Sequence, residues 1–196
     1  MITATTIQEL QRKIARLDDQ QAYKQLFTSL YTYLFQFAKS LVKAKEPAEE
    51  IISDVFIKVW EKRKDLEKIE NLKLYLYVST RNSAYNYLDK QKRSATNPLD
   101  DMQTDITSLY FDPEQLLITA DMLARIQKAI DQLPPKCKMI FKLAKEDGLK
   151  YKEVAEILNI SVKTVENQLA IAIQKIGSAV SFDIRKTVSS SIRHTK

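Results

Sequence analysis

The stretch from Gly148 to Ile176, GLKYKEVAEILNISVKTVENQLAIAIQKI, decides how the rest of the chain is read. Val154, Ala155 and Leu158 set one apolar stripe at helical spacing, and Val165, Leu169, Ala172, Ile173 and Ile176 set a second. Between them stands Asn159-Ile160-Ser161. Asparagine tolerates left-handed backbone, Ile160 can plug the angle between two helices, and Ser161 can accept from the amides that open the second one. The pattern predicts a helix-turn-helix whose second helix is the reader. Its early residues Val162, Lys163, Thr164, Glu166, Asn167 and Gln168 carry the donors, acceptors and methyl groups that base edges and phosphates engage. An ordinary helical hairpin satisfies the same periodicity, so DNA reading needs support from elsewhere in the chain.

Size and charge supply part of it. A chain of 196 residues that is 44% hydrophobic can bury one large core or two small ones, and two fit the sequence better. The net charge of +6 favours an anionic partner, although 25 acidic residues are too many for a histone-like coat. Lys58 to Arg93 holds about ten bases against five acids, and Lys150 to the end about eight against four, while Ser94 to Leu116 holds five acids and no base. Two basic lobes therefore flank an acidic strap.

Several classes of chemistry drop out. A lone Cys137 and a lone His194 cannot make an internal disulfide, a zinc site or a Cys-His nucleophile, and Cys137 is expected as a small packing residue. With only Gly148 and Gly177 there is no phosphate-cradling loop. No metal, cofactor or catalytic group is expected. The start, MITATTIQELQRKIARL, lacks an apolar signal core, and no stretch nears the roughly 20 apolar residues that span a bilayer. The expectation is a cytoplasmic protein with no stable membrane insertion.

Nearly every segment has helical periodicity, which predicts an all-α protein of two helical domains joined by an acidic linker. A first helix spans Ile7 to Leu17; Asp18 or Asp19 caps a second carrying Ala22, Leu26, Phe27 and Leu30, with further turns through Tyr33, Leu34, Phe37, Leu41 and Val42. Glu46-Pro47 opens a helix that buries Ile51, Ile52, Val55, Phe56 and Val59, turns Glu50, Ser53, Asp54, Ile57 and Lys58 elsewhere, and wedges Trp60 into the bundle. Asn71 caps the next, from Leu72 to Lys92. There Tyr75, Tyr77, Tyr85 and Tyr87 interleave with Arg81, Asn82, Asn86, Lys90, Lys92 and Arg93, which suits stacked bases and tracked phosphates. Tyrosines at helical spacing equally build cores.

SATNPLDDMQTDITSLYFD, residues 94–112, reads as the linker, with Met102, Ile106, Leu109, Tyr110 and Phe111 free to dock on a partner. Asp112-Pro113-Glu114-Gln115 opens a helix through Leu116, Ile118, Leu123, Ile126 and Ile130 that ends at Leu133-Pro134-Pro135. Another runs from Lys136 to Glu146 before Gly148 breaks it. The domains are thus placed at 1–93 and 113–180, and the Ser- and Thr-rich end from Ser178 reads as a frayed tail over 181–196.

Taken together, these residues resemble the extracytoplasmic-function group of sigma-70 family RNA polymerase sigma factors, the compact type that keeps only the second and fourth conserved regions. PAEEIISDVFIKVWEKR is similar to the core-binding signature of region two, LYLYVSTRNSAYNYLDKQKR to the adjoining helices that melt the −10 element, and QLPPKCKMIFKLAKEDGLKYKEVAEILNISVKTVENQLAIAIQKI to region four. The resemblance implies a transcription initiation factor whose partners are core polymerase, double-stranded promoter DNA, the melted non-template strand and a cognate anti-sigma factor.

By the same resemblance, Glu50, Ser53, Asp54, Lys58 and Trp60 would meet the core enzyme. Tyr75, Arg81, Asn82, Tyr85 and Asn86 would serve the −10 element, Asn82 beside a flipped base, with Lys90, Lys92 and Arg93 on phosphates. Ser161, Lys163, Thr164, Asn167 and Gln168 would serve the −35 element, with Lys150 and Lys152 on its backbone. The linker would thread the RNA exit path. Departures stand out: Ser53 where relatives more often have Gln, Glu166 and Gln168 where many have Lys or Arg, and an apolar run Ala170-Ile171-Ala172-Ile173. Either the promoter contacts are fewer here or Ile171 packs on a partner. Two rivals remain: a helix-turn-helix regulator independent of core polymerase, and a helical adaptor or anti-factor that never touches DNA.

Overall fold

The computed structural model describes residues 3–94 and 120–191. Among them every regular element is helical, and the chain divides into two compact units. The acidic strap, the expected helix start at Asp112 to Gln115 with Leu116 and Ile118, and His194 lie outside the described residues.

The first unit opens with α1, Ala4–Leu17, where the Thr3 hydroxyl accepts from the Thr6 amide at 3.1 Å. The chain turns through left-handed Asp18, and Asp19 then caps α2, Gln20–Val42, by accepting from the Gln21 and Ala22 amides at 2.9 and 3.0 Å. Of the two candidate caps Asp19 does the capping. Asp18 instead takes Arg63 and Lys64, and those two hydrogen-bonded cations, Lys64 foremost, hold its carboxyl below the usual carboxylate range.

Then come α3, Lys45–Glu61, a 3₁₀ segment Arg63–Lys68, and α4, Leu72–Ser94, whose first turn is capped by Asn71 Oδ1 accepting from the Leu74 amide at 3.0 Å. The core is built by Leu26, Leu30 and Leu34 of α2, Ile52, Val55, Phe56 and Val59 of α3, and Leu72, Leu76 and Ala84 of α4, all buried. Beside it runs a second stripe at four-residue spacing, Tyr23, Phe27, Tyr31 and Phe35. It packs on α3 through Phe27 against Phe56 at 4.8 Å and Tyr23 against Trp60 at 4.9 Å, and the Tyr23 hydroxyl donates to the Phe56 carbonyl at 2.8 Å. Tyr33 and Leu41, expected within the apolar run of α2, are only half-buried.

In the second unit α5, Ala120–Asp131, and α6, Pro135–Phe141, pack on α8, Val162–Ser191, around Ile130, Leu133, Cys137 and Ala172, with Ile126, Phe141 and Ile176 at the margin. Cys137 is wholly buried; its thiol donates to the Gln168 carbonyl at 3.2 Å, and burial pushes its pKa up. A π-turn over Lys142–Glu146 continues α6, and α7, Tyr151–Leu158, follows. The sequence places a frayed tail after residue 180, but α8 runs on through Gly177 to Ser191. Glycine costs a helix interior about 1 kcal/mol, too little to end one that is otherwise unbroken.

Gln11 joins the start of the first unit to its middle. It is buried, and its amide donates to the Leu66 carbonyl and, at 2.7 Å, to the Ile69 carbonyl. Gln11→Ala would strand two carbonyls, and is expected to cost about 1–3 kcal/mol, seen as a lower urea midpoint at unchanged slope. An unchanged midpoint would show that water replaces the lost donor at no cost.

Candidate nucleic-acid interface

The helix-turn-helix forms as its residues require. Gly148, at φ 64°, breaks the chain after the π-turn, and Glu153 reaches back to accept from the Lys150 amide at 2.7 Å. Asn159 takes left-handed backbone at φ 51°, the Ile160 amide donates to the Ala155 carbonyl at 3.0 Å, and Ser161 Oγ accepts from the Thr164 amide at 3.0 Å. Val154, Ala155, Val165, Leu169 and Ala172 are buried as the periodicity predicts. Three of the expected positions differ, Ile176 being only partly buried. Ile157 is fully buried while Leu158 is only partly so, and Ile173, expected in the buried stripe, is 54% exposed because it lies one residue past Ala172 on the turning helix.

On α8 the residues Lys163, Glu166 and Asn167 are exposed, and Thr164 and Gln168 half-buried. Ser161 and Thr164 share a hydroxyl contact at 2.9 Å, so both serve the cap as well as any ligand. Lys163 Nζ stands 3.6 Å from Glu166 Oε2. Lys150 and Lys152 are exposed at the start of α7. Ile171 is 40% exposed.

The second surface is on α4. Tyr75, Asn82, Asn86 and Arg93 recur seven, four and seven residues apart, which sets them on one helix face, and Tyr85 flanks it at 46% exposed. Arg81 donates from Nε at 3.1 Å and Nη2 at 2.8 Å to Asn82 Oδ1, which leaves the amide nitrogen of Asn82 as its outward donor. Lys90, Lys92 and Arg93 are exposed in the last turns. Tyr77, singled out with the other tyrosines, is fully buried 5.4 Å from Phe37 and belongs to the core.

On α3 Glu50, Asp54 and Lys58 are exposed, and among the described residues neither acid has an ion-pair partner. The Ser53 hydroxyl donates to its own helix, to the Glu49 carbonyl at 2.9 Å. Trp60 is half-buried, its ring met by Tyr23 and by the Arg63 guanidinium 4.7 Å from its centre. Ile57, 54% exposed, stands on the same outward side. Tyr23, Tyr31 and Phe35 went unread in the sequence, although their four-residue spacing was there to be found.

Among the described residues no group of His, Cys, Asp and Glu could hold a metal ion, and no helix is long and apolar enough to cross a membrane.

Residues 26–94 match the family described as Sigma-70 region 2, and residues 123–176 match Sigma-70, region 4. The chain is 26% identical over 144 residues to the ECF RNA polymerase sigma-E factor of Escherichia coli, covering 70% of this chain and 75% of that one. To the RNA polymerase sigma-H factor of Pseudomonas aeruginosa it is 22% identical over 190 residues, covering 92% and 96%. Two solved structures are alike in fold. The sigma factor RpoE of Bartonella quintana, solved with the anti-sigma factor NepR, gives a TM-score of 0.54 at 22% identity over 82% of this chain and 98% of that one. CnrH, solved with the cytosolic domain of CnrY, gives 0.52 at 19% identity over 91% and 99%.

Glu146, in the π-turn that leads into the helix-turn-helix, buries its Oε1 with no hydrogen-bond partner among the described residues. Burial pushes the carboxyl up to about 7, with Lys142 opposing and Asp147 adding to it; burial likewise lowers Lys142. Ionising Glu146 therefore opposes folding. The contribution of Glu146 to the stability of the second unit is fully present below the free carboxyl value of 4.5 and is lost as pH rises through about 7. Glu146→Gln should abolish that slope and stabilise the unit at pH near 8 by about 1 kcal/mol, allowing for partial exposure. Amide exchange across α6 to α8 checks it, and equal protection in both proteins near pH 8 would refute it.

Proposed function

From the premise that the chain belongs to the extracytoplasmic-function group of the sigma-70 family, we propose how its surfaces divide the work of starting transcription. The protein is an initiation factor that associates with core RNA polymerase and directs it to specific promoters. Residues 1–93 would grip the core and open the −10 element, 94–112 would be the linker, and 113–180 would read the −35 element.

Core binding is assigned to α3. Glu50 and Asp54 are exposed acids that can orient a basic partner surface and speed encounter, with Lys58 beside them and Trp60 further along the same helix. Because the Ser53 hydroxyl is spent on Glu49, it adds little to the contact.

On α4 the outward row of Tyr75, Asn82, Tyr85 and Asn86 suits a single strand whose bases have left the stack. Arg81 orients the Asn82 amide for a base edge, and Lys90, Lys92 and Arg93 follow phosphates. Extruding a base costs a few kcal/mol, which stacking and edge hydrogen bonds offset, so melting needs no nucleotide hydrolysis. On α8, Lys163, Thr164, Asn167 and Gln168 would read base edges, Ser161 would hold the helix start, and Lys150 and Lys152 would meet phosphates. In this reading the protein's contribution is binding energy. Its place of action is the cytoplasm, and an anti-sigma protein is its natural restraint, in keeping with the company in which RpoE and CnrH were solved.

The observation that carries this reading is the presence in one chain of two helices, α4 and α8, that each bury one face and leave a row of amides, hydroxyls and cations on the other. Run-off transcription with purified core enzyme on genomic fragments tests it. The intact chain should initiate at discrete sites. Asn82→Ala should cut open-complex formation about tenfold with core binding intact, and Lys163→Ala should weaken promoter binding and lower its salt slope by about one. A chain that is not retained by core enzyme, or initiates nowhere, would sink the proposal.

A further inference from the structure

The outward face of α8 carries an acid where DNA would lie. Lys163, Glu166, Asn167 and Ala170 are exposed at three- and four-residue spacing, opposite the buried Val165, Leu169 and Ala172. On a helix-turn-helix this is the face laid into the major groove, and Glu166 stands at its middle, one turn after Lys163 and one before Ala170. A carboxylate in that place meets little that welcomes it. Phosphates repel it, and the groove edges of guanine and thymine present acceptors and a methyl group but no donor.

Two groups in the groove can donate to it, the cytosine and adenine amines. Adenine sets the N7 acceptor beside its amine, which suits a side-chain amide better than a carboxylate; cytosine presents its amine alone. Lys163 is Glu166's partner in the free protein, at 3.6 Å, but both side chains are well exposed, at 77% and 47%, and such a pair opens at little cost. Once Lys163 turns to a phosphate or a guanine, the carboxylate needs another donor.

Resting on the reading of α8 as the −35 reader, we propose that Glu166 is a specificity-determining residue that accepts from the amine of one cytosine in the upstream promoter element. The charge that weakens attraction to DNA in general is what makes the choice of base strict, since every other base leaves the carboxylate facing acceptors or an ill-matched edge.

The test uses holoenzyme assembled from purified core and the full chain, with duplexes randomised over the upstream element. The parent should enrich a motif containing one strongly preferred cytosine. Glu166→Ala should lose about ten- to hundredfold of preference at that position alone, keep the others, and bind random duplex as well or better. Glu166→Gln should move the same position towards adenine, the bidentate partner of a side-chain amide. If both variants keep the parent's preference at every position, or lose preference at all positions together, the assignment is wrong. A parent that enriches no upstream motif overturns the reading of α8 itself, and this assignment with it.

Discussion

The buried stripe of Val165, Leu169 and Ala172, the last clustered with Ile130, Leu133 and Cys137, holds α8, and everything α8 can do depends on it. A helix offers side chains to DNA only while its opposite face is anchored. Burial supplies the strength, on the order of 1.5–3 kcal/mol for each fully buried large aliphatic side chain. It is non-directional, however, and would tolerate some rotation of the helix. Rotation is set by groups with geometry: left-handed Asn159, the Ile160 amide on the Ala155 carbonyl, and the Ser161 hydroxyl on the Thr164 amide. The same division recurs in the first unit, where Leu72, Leu76, Tyr77 and Ala84 anchor α4 and Asn71 sets its first turn.

Polar groups on the outward faces are arranged more by orientation than by charge. The guanidinium of Arg81 spends two donors on Asn82, which turns a cation that could have met a phosphate into a support for an amide. Lys163 is held in part by Glu166, and Ser53 by its own helix. The net charge of +6 draws the protein towards an anionic partner from a distance, whereas these local pairings decide what the partner meets on arrival. Aromatic residues take a structural share beside these faces: Tyr23 and Phe27 of α2 pack on Phe56 and Trp60 of α3, the helix that also bears Glu50 and Asp54.

Most of the secondary structure was legible before any coordinates, because amphipathic helices with few glycines leave little freedom in their assignment. The stripe of α3 came out as read, with Ala48 added at its start, as did the caps Asn71 and Ser161, since a short polar side chain before an apolar run has a local task that its neighbours cannot alter. Legibility failed where periodicity left two adjacent positions nearly equivalent. Leu158 and Ile157 differ by one residue on a turning helix, and so do Ile173 and Ala172; which of each pair is buried is set by what packs across from it, which spacing does not state. The choice between Asp18 and Asp19 was of the same kind, resolved by where Arg63 and Lys64 came to lie.

Sequence alone determined the helical class, the two bodies separated by an acidic strap, and which helices carry polar rows, because these follow from spacing and composition within single elements. Tertiary packing decided what each side chain in those rows has left to offer. It sank Tyr77 into the core while leaving Tyr85 outside, and it buried the Glu146 carboxyl in a π-turn that no local pattern announces. The reason is physical: periodicity states which face of a helix is apolar, but burial and desolvation are properties of what lies across from that face, and those neighbours come from distant parts of the chain.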